Sequence, residues 1–154
     1  MQGLFEQIET FSTYEVARKV PLFYMLNMMS TFLGGYFNRN EKSLDFLETF
    51  KDDFPERDRV ILAFNSAAAT FAKLKLPKES MWCQKANFFT LMTELAVAKG
   101  EKKGIRIADT RAKLSKFESS VPEDYLLAAR EAVNNKRERT IRAKYVAKLI
   151  VQAK

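Results

Sequence analysis

Asn87-Phe88-Phe89-Thr90-Leu91-Met92-Thr93-Glu94-Leu95-Ala96-Val97-Ala98-Lys99-Gly100 is the stretch whose reading decides the fold. Phe88, Leu91, Met92 and Leu95 recur at i, i+3, i+4 and i+7, which sets four large apolar side chains on one face of a helix. Phe89, Ala96 and Val97 widen that face until little of the helix is polar. A helix apolar over most of its circumference needs neighbours on every side, so this one is expected at the centre of the molecule. Asn87 reads as its N-cap and Gly100 as the C′ residue after Lys99.

The rest of the chain supplies helices to wrap around it. Leu, Ala, Lys and Glu dominate over Val and Ile, and the 5 Gly and 4 Pro are too few for a β-sandwich. Leu4, Ile8 and Phe11 suggest a short first helix, and Ser12-Thr13 cap the next, with Glu15 near the cap position that favours acids. Pro21 starts or kinks a helix that runs through Phe23, Leu26 and Met29 to Gly34-Gly35. Ser43 is read as the cap of a helix carrying Leu44, Phe46, Leu47 and Phe50. Arg57 to Leu74 is a strong helix with a stripe of Ile61, Phe64, Ala68 and Phe71. Ile107, Leu114 and Phe117 mark a narrower one that Ser119-Ser120 stops. Pro122 sits at N1 of another, with Glu123 and Asp124 in its first turn and Tyr125, Leu126, Ala129 and Val133 facing inward. Asn134-Asn135 turns the chain into a last helix from about Lys136. The expected architecture is all-α, an irregular bundle of about seven helices around a central helix near 87–99, forming a single helical domain over 1–154.

Several chemistries are excluded. The chain has no histidine, which removes His-based metal sites and Ser-His-Asp or Cys-His catalysis. Its one cysteine, Cys83, cannot form an intrachain disulfide and reads as a small buried hydrophobe beside Trp82. The acids Asp52, Asp53, Glu56 and Asp58 lack the mid-loop Gly and distal Glu of a calcium loop, and read as a solvated turn. Carboxylates, tyrosines and lysines are present in number, but no catalytic pair is placed by sequence. No enzyme activity, cofactor or metal is expected. Val20 to Asn38 is an uncharged run of 19 residues, near the length of a membrane span. Pro21, Asn27, Ser30, Thr31, Gly34, Gly35 and Asn38 make it too polar for one, so a core helix and a cytoplasmic protein are expected, with no membrane partner. It lies too far into the chain, behind Glu6, Glu9 and Glu15, to be a signal peptide.

The formal charge is +7, and residues 136–154 carry 7 basic side chains against one acid, Glu138. On a helical wheel with Ile141 at zero and about 100° per residue, Tyr145, Leu149, Val146 and Ile150 span the half-turn expected to be buried. Arg139 and Arg142 fall on that apolar side and read as structural, their guanidinium groups paired with carboxylates of neighbouring helices. Lys136, Arg137, Lys144 and Lys148 fall on the open side. A row of cations can hold nucleic-acid phosphates without reading sequence, so these four are the candidate nucleic-acid contacts.

Three stretches carry a family resemblance. Trp82-Cys83-Gln84-Lys85-Ala86-Asn87-Phe88-Phe89-Thr90-Leu91 resembles the Lys-x-Asn-Phe-Phe-x-Leu helix start of the GmrSD-type restriction subunits. Pro122-Glu123-Asp124-Tyr125, followed by Ala132 and Asn134, resembles that family's penultimate helix. Arg137, Arg139 and Arg142 resemble its closing Arg-rich helix, and Phe46, Phe50 and Phe64 fit the helices before. The resemblance covers roughly residues 43–150 and implies the helical C-terminal half of such a protein, whose other half is a ParB-like nuclease domain marked by Asp-Gly-Gln-Gln-Arg. That motif is absent here. The resemblance therefore implies a non-catalytic module in defence against foreign DNA, with DNA and a nuclease domain or subunit as partners. The competing expectation is a protein-interaction or oligomerisation module, a homodimer for instance, with an exposed apolar patch between Phe23 and Phe37.

Overall fold

A computed structural model describes residues 10–101 and 104–153, together with Gly3. Among these residues there are eight α-helices and no β-strand: α1 (Thr13–Ala17), α2 (Val20–Gly34), α3 (Glu41–Thr49), α4 (Arg57–Leu74), α5 (Lys85–Gly100), α6 (Ile107–Ser119), α7 (Glu123–Arg130) and α8 (Lys136–Leu149). A single 3-10 turn, Met81–Cys83, leads into α5. The chain is thus an all-α irregular bundle. The expected first helix at Leu4 and Ile8 lies outside the described residues.

Helix α5 is the centre. Phe88, Leu91, Met92, Leu95 and Ala96 are fully buried, and Thr90 and Thr93 are buried with them. The two threonines satisfy their hydroxyls within the helix, on the carbonyls of Ala86 and Phe89. Helices α2, α4, α7 and α8 and the 3-10 turn all pack on α5. Against it α4 lays Val60, Ala63, Phe64, Ala67, Thr70, Phe71 and Leu74. Ala63 and Ala67 let the two backbones approach, and the Phe71 and Phe88 rings meet edge-to-face at 5.1 Å. The stripe on α4 is turned from its expected setting: Ile61 is exposed and Val60 is inside.

Local signals fixed several ends. Ser12 and Glu15 form a reciprocal capping box on α1. Lys19, at φ 59°, turns the chain before Pro21 enters the first turn of α2. Gly35 at φ 75° ends α2 in a conformation that favours glycine.

Four expected caps are corrected. Asn87 is not the N-cap of α5. The helix begins at Lys85, and Asn87 sits inside its first turn. Its side chain donates to the carbonyl of Met81 at 3.0 Å and accepts from the Tyr125 hydroxyl at 2.9 Å, tying α5 to the 3-10 turn and to α7. Gly100 is the last residue of α5 rather than C′, and a Cβ there would stand 3.1 Å from the Phe32 ring, so glycine serves close packing. Ser43 lies within α3, buried and with its hydroxyl unpartnered, and Asn40 holds the cap position. Pro122 is the N-cap residue of α7, one position before its expected place.

The described chain closes on itself at one end. Arg106 N–H donates to the carbonyl of Val151 at 2.8 Å, and Ala153 N–H to that of Gly104 at 2.8 Å. This short antiparallel contact holds the segment after α8 against the start of α6. No helix of the described residues is long and apolar enough to cross a membrane.

Candidate nucleic-acid interface

Helix α8 begins where the Lys136 N–H donates to Asn38 Oδ1 at 2.8 Å, with Asn135 at the N-cap. Lys136, Arg137, Lys144 and Lys148 are all exposed, as their wheel positions require. Over the 11 steps from Arg137 to Lys148 the helix advances about 16 Å. Arg137, Lys144 and Lys148 lie within a narrow strip along that length, and Lys136 sits off it towards the N-terminal end. The acid of this helix, Glu138, offsets little of the charge. Its Oε1 is 3.9 Å from Arg137, a loose contact on a side chain that is 84% exposed. Its Oε2 is buried without a hydrogen-bond partner. Among the described residues no carboxylate pairs with Lys136, Lys144 or Lys148. Lys113 of α6 donates to the carbonyl of Lys148 at 3.3 Å and so adds a fifth cation beside the row. Sequence reasoning missed it, because only the packing of α6 on α8 brings the two helices together.

The inner face of α8 departs from expectation in its setting. Its buried residues are Arg139, Arg142, Ala143 and Val146, with Ile150 just beyond the helix. Ile141, Tyr145 and Leu149, expected on the buried half-turn, form a half-buried shoulder. Tyr145 turns its hydroxyl to the Asp124 carboxylate at 2.9 Å. The arc is narrower and rotated, and both arginines lie within it.

Arg139 and Arg142 are buried, and their expected partners are corrected: they are held by carbonyls, a hydroxyl and aromatic rings, not by carboxylates. Arg142 donates from Nε to Thr90 Oγ1 at 3.1 Å, from one terminal nitrogen to the carbonyl of Ala128, and from the other to that of Val133 at 2.9 Å. The reason lies in α7. That helix stops at Arg130, and Ala132 at φ 45° turns the chain away. The carbonyls of its last turn are left without helical partners, and a cation at a helix C-terminus both satisfies them and meets the negative end of the dipole. Arg139 donates to the carbonyl of Phe37 at 3.1 Å and lies over the Phe89 and Phe37 rings at 4.8 and 5.3 Å. Burial, reinforced by the neighbouring Arg142 charge, lowers the Arg139 pKa to about 10, and burial lowers that of Arg142 too. Arg139 remains charged near neutral pH.

Elsewhere the candidate chemistry stays dispersed. Cys83 is buried, its thiol pKa raised by burial, with a weak contact to the carbonyl of Pro77. Asp52, Asp53 and Asp58 are exposed around the α3–α4 turn, and Glu56 is tied to Arg59 at 2.7 Å. Among the described residues no group of three or more acidic or cysteine side chains is placed to hold a metal ion. No family model, curated protein or solved structure matches the chain.

Proposed function

We propose that the chain is a non-catalytic helical module of a GmrSD-like defence protein, which scaffolds a nuclease half and contacts DNA through Lys136, Arg137, Lys144 and Lys148. The observation that carries the DNA contact is the exposed cationic row on α8 with almost no acidic counterpart. Phosphate binding asks for cations on a rigid element and little else. The scaffolding role draws on the resemblance. The residues that carry it are internal ties: Asn87 bonds Tyr125, and Arg142 bonds Thr90 and the end of α7. Such residues specify a framework rather than a reaction.

Fluorescence anisotropy with duplex DNA across a salt series tests the contact. Four phosphate contacts give a slope of log K against log salt of about −3.6. Replacing the four cations by Glu should abolish binding. Absence of binding at low salt, or binding that survives the replacement, removes the DNA role. Co-purification with a separately expressed Asp-Gly-Gln-Gln-Arg-bearing protein encoded beside it tests the scaffold.

A second reading, a protein-interaction module, is favoured by a groove between α2 and α3. Leu26, Met29, Leu33, Phe46, Phe50 and Phe54 wall a hollow of about 360 Å³. Leu44 and Leu47 of α3 are exposed nearby. The patch expected at Phe23 to Phe37 is only partly there: Phe23 is half exposed, while Phe32 and Phe37 are buried. Light scattering after size exclusion separates the readings, since a salt-insensitive dimer without DNA affinity supports this one.

A further inference from the structure

A second hollow, of about 280 Å³, opens where α2, the start of α5, the α7–α8 loop and α8 converge. Arg139 and Arg142 both line it. A guanidinium carries five N–H donors. Among the described residues Arg142 places three of its donors and Arg139 one. No carboxylate of the described residues lies within ion-pairing distance of either. Arg142 is partly balanced by the end of α7 and by the field of the Glu138 carboxylate, so Arg139, held by one carbonyl and two ring faces, is the less compensated charge. A buried cation with spare donors and no anion is a costly arrangement that an oxyanion relieves.

A second polar side chain lines the same hollow. Asn27 is 6% exposed and also lines it. Its Nδ2 donates to the carbonyl of Phe23 at 2.9 Å and to Asn40 Oδ1 at 3.0 Å. The carbonyl of Phe23 can only accept, so the amide orientation is fixed. Asn27 Oδ1 is therefore an acceptor, and it is buried with no partner. Phe23, Tyr24 and Phe89 supply apolar wall to the same hollow.

We propose that this hollow binds a small organic oxyanion. A carboxylate or phosphomonoester head meets Arg139 and Arg142, an apolar body lies against Phe23, Tyr24 and Phe89, and a donor group of the ligand reaches Asn27 Oδ1. The site is separate from the outer cations of α8 and does not rest on the DNA reading. Its volume suits a ligand of one ring and one head group rather than a polymer.

Arginine side-chain NMR on the full chain gives a direct test. The probes are 4-aminobenzoate and 4-aminophenyl phosphate, compared with inorganic phosphate at matched ionic strength. Each organic probe carries a ring, an oxyanion and an amine donor. The expected result is a saturable shift of the Arg139 Nε–H resonance with at least one organic probe, bound about tenfold or more tighter than inorganic phosphate, a difference of about 1.4 kcal/mol. Whichever probe binds better identifies the head group. Asn134→Glu places a negative charge at the mouth of the hollow. Asn134 is exposed, and the bond it makes is through its backbone carbonyl, so this variant should fold and should weaken binding about tenfold. Arg139→Lys should weaken it too, because an ammonium lacks the planar fork. Replacing Lys136, Arg137, Lys144 and Lys148 by Glu should leave the resonance shift in place while removing DNA affinity. No saturable shift at about 10 mM probe, where a millimolar site would be mostly filled, overturns the proposal. Equal affinity for inorganic phosphate, or binding unchanged in Asn134→Glu, overturns it as well.

Discussion

The two faces of α8 carry the same kind of residue to opposite ends. On the outer face, Lys136, Arg137, Lys144 and Lys148 stand in solvent with their charges unspent. On the inner face, Arg139 and Arg142 are among the most buried side chains of the molecule, at 3% and 1% exposure. The difference is not one of charge but of geometry. A guanidinium is planar, weakly hydrated and multiply donating, so it can enter a core wherever carbonyls converge. An ammonium keeps its hydration and stays outside. All three lysines of the comparison are on the outer face, and the inner pair are both arginine. Helix α8 is thus anchored by Arg139 and Arg142, while Lys136, Arg137, Lys144 and Lys148 are displayed.

Breaking the inner half should have the largest effect. Arg142→Met removes three hydrogen bonds and leaves the carbonyls of Ala128 and Val133 buried and short of a donor. The expected loss is about 3–5 kcal/mol in urea denaturation, a large part of a domain's total stability. Arg142→Lys should recover only part of it. A loss under about 1 kcal/mol would mean that α8 is not held this way.

Arg139→Met should cost less, about 1–3 kcal/mol, because one carbonyl loses its partner and the ring contacts are partly replaced by the thioether. If the two arginines proved equal, the special place given to the end of α7 would be wrong.

Glu94 sharpens the comparison from the other sign of charge. It accepts from the Tyr36 hydroxyl at 2.7 Å, and burial raises its pKa above the ordinary glutamate value. A carboxyl with a raised folded-state pKa favours the folded state below its unfolded value of about 4.3, and that contribution is lost as pH rises through the folded value. Glu94→Gln keeps an acceptor for Tyr36 and removes the charge. Its melting temperature should exceed that of the parent at neutral pH, with the gap closing as pH falls towards about 4. A gap that widens on acidification would reverse the sign of the effect.

The smallest effect belongs to the outer face. Changing Lys136, Arg137, Lys144 and Lys148 singly to Gln should move stability by no more than about 0.5 kcal/mol each, in either direction, as judged by the same denaturation midpoints. Larger losses would show that these side chains are structural after all and would merge the two faces into one.

How far the sequence carried depended on the range of the interactions. Arg57 to Leu74, read from apolar spacing, is the helix observed to the residue, and Ser12, read as a cap, holds the N-cap of α1, where Glu15 completes a reciprocal box. The division of α8 into an outer set of Lys136, Arg137, Lys144 and Lys148 and an inner pair of Arg139 and Arg142 followed from the wheel alone. What failed was long-range. Asn87 has the residue type of a cap, but its acceptor is wanted by Tyr125, 38 residues away. Arg139 and Arg142 were expected to find carboxylates, because charge pairing is what a sequence can express. The carbonyls freed by the stop of α7 and the turn at Ala132 exist only once that helix has ended and packed. The oxyanion hollow draws on α2, α5 and α8 together, and its clearest sign, the unpaired Asn27 oxygen, is a property of burial that no local pattern encodes.

Trp82, the one tryptophan of the chain, is fully buried, with its indole N–H donating to the carbonyl of Leu114 at 3.3 Å and its ring against Phe117 and Tyr125. The protein consequently carries its own optical gauge of one flank. Loosening of α6 or α7 would wet this indole and shift its emission to the red, while rearrangement around Phe46, Phe50 and Phe54 on the opposite hollow would pass unseen by it. Two spectroscopies, indole emission for the first flank and phenylalanine ring resonances for the second, would therefore tell whether the bundle opens all at once or one side at a time.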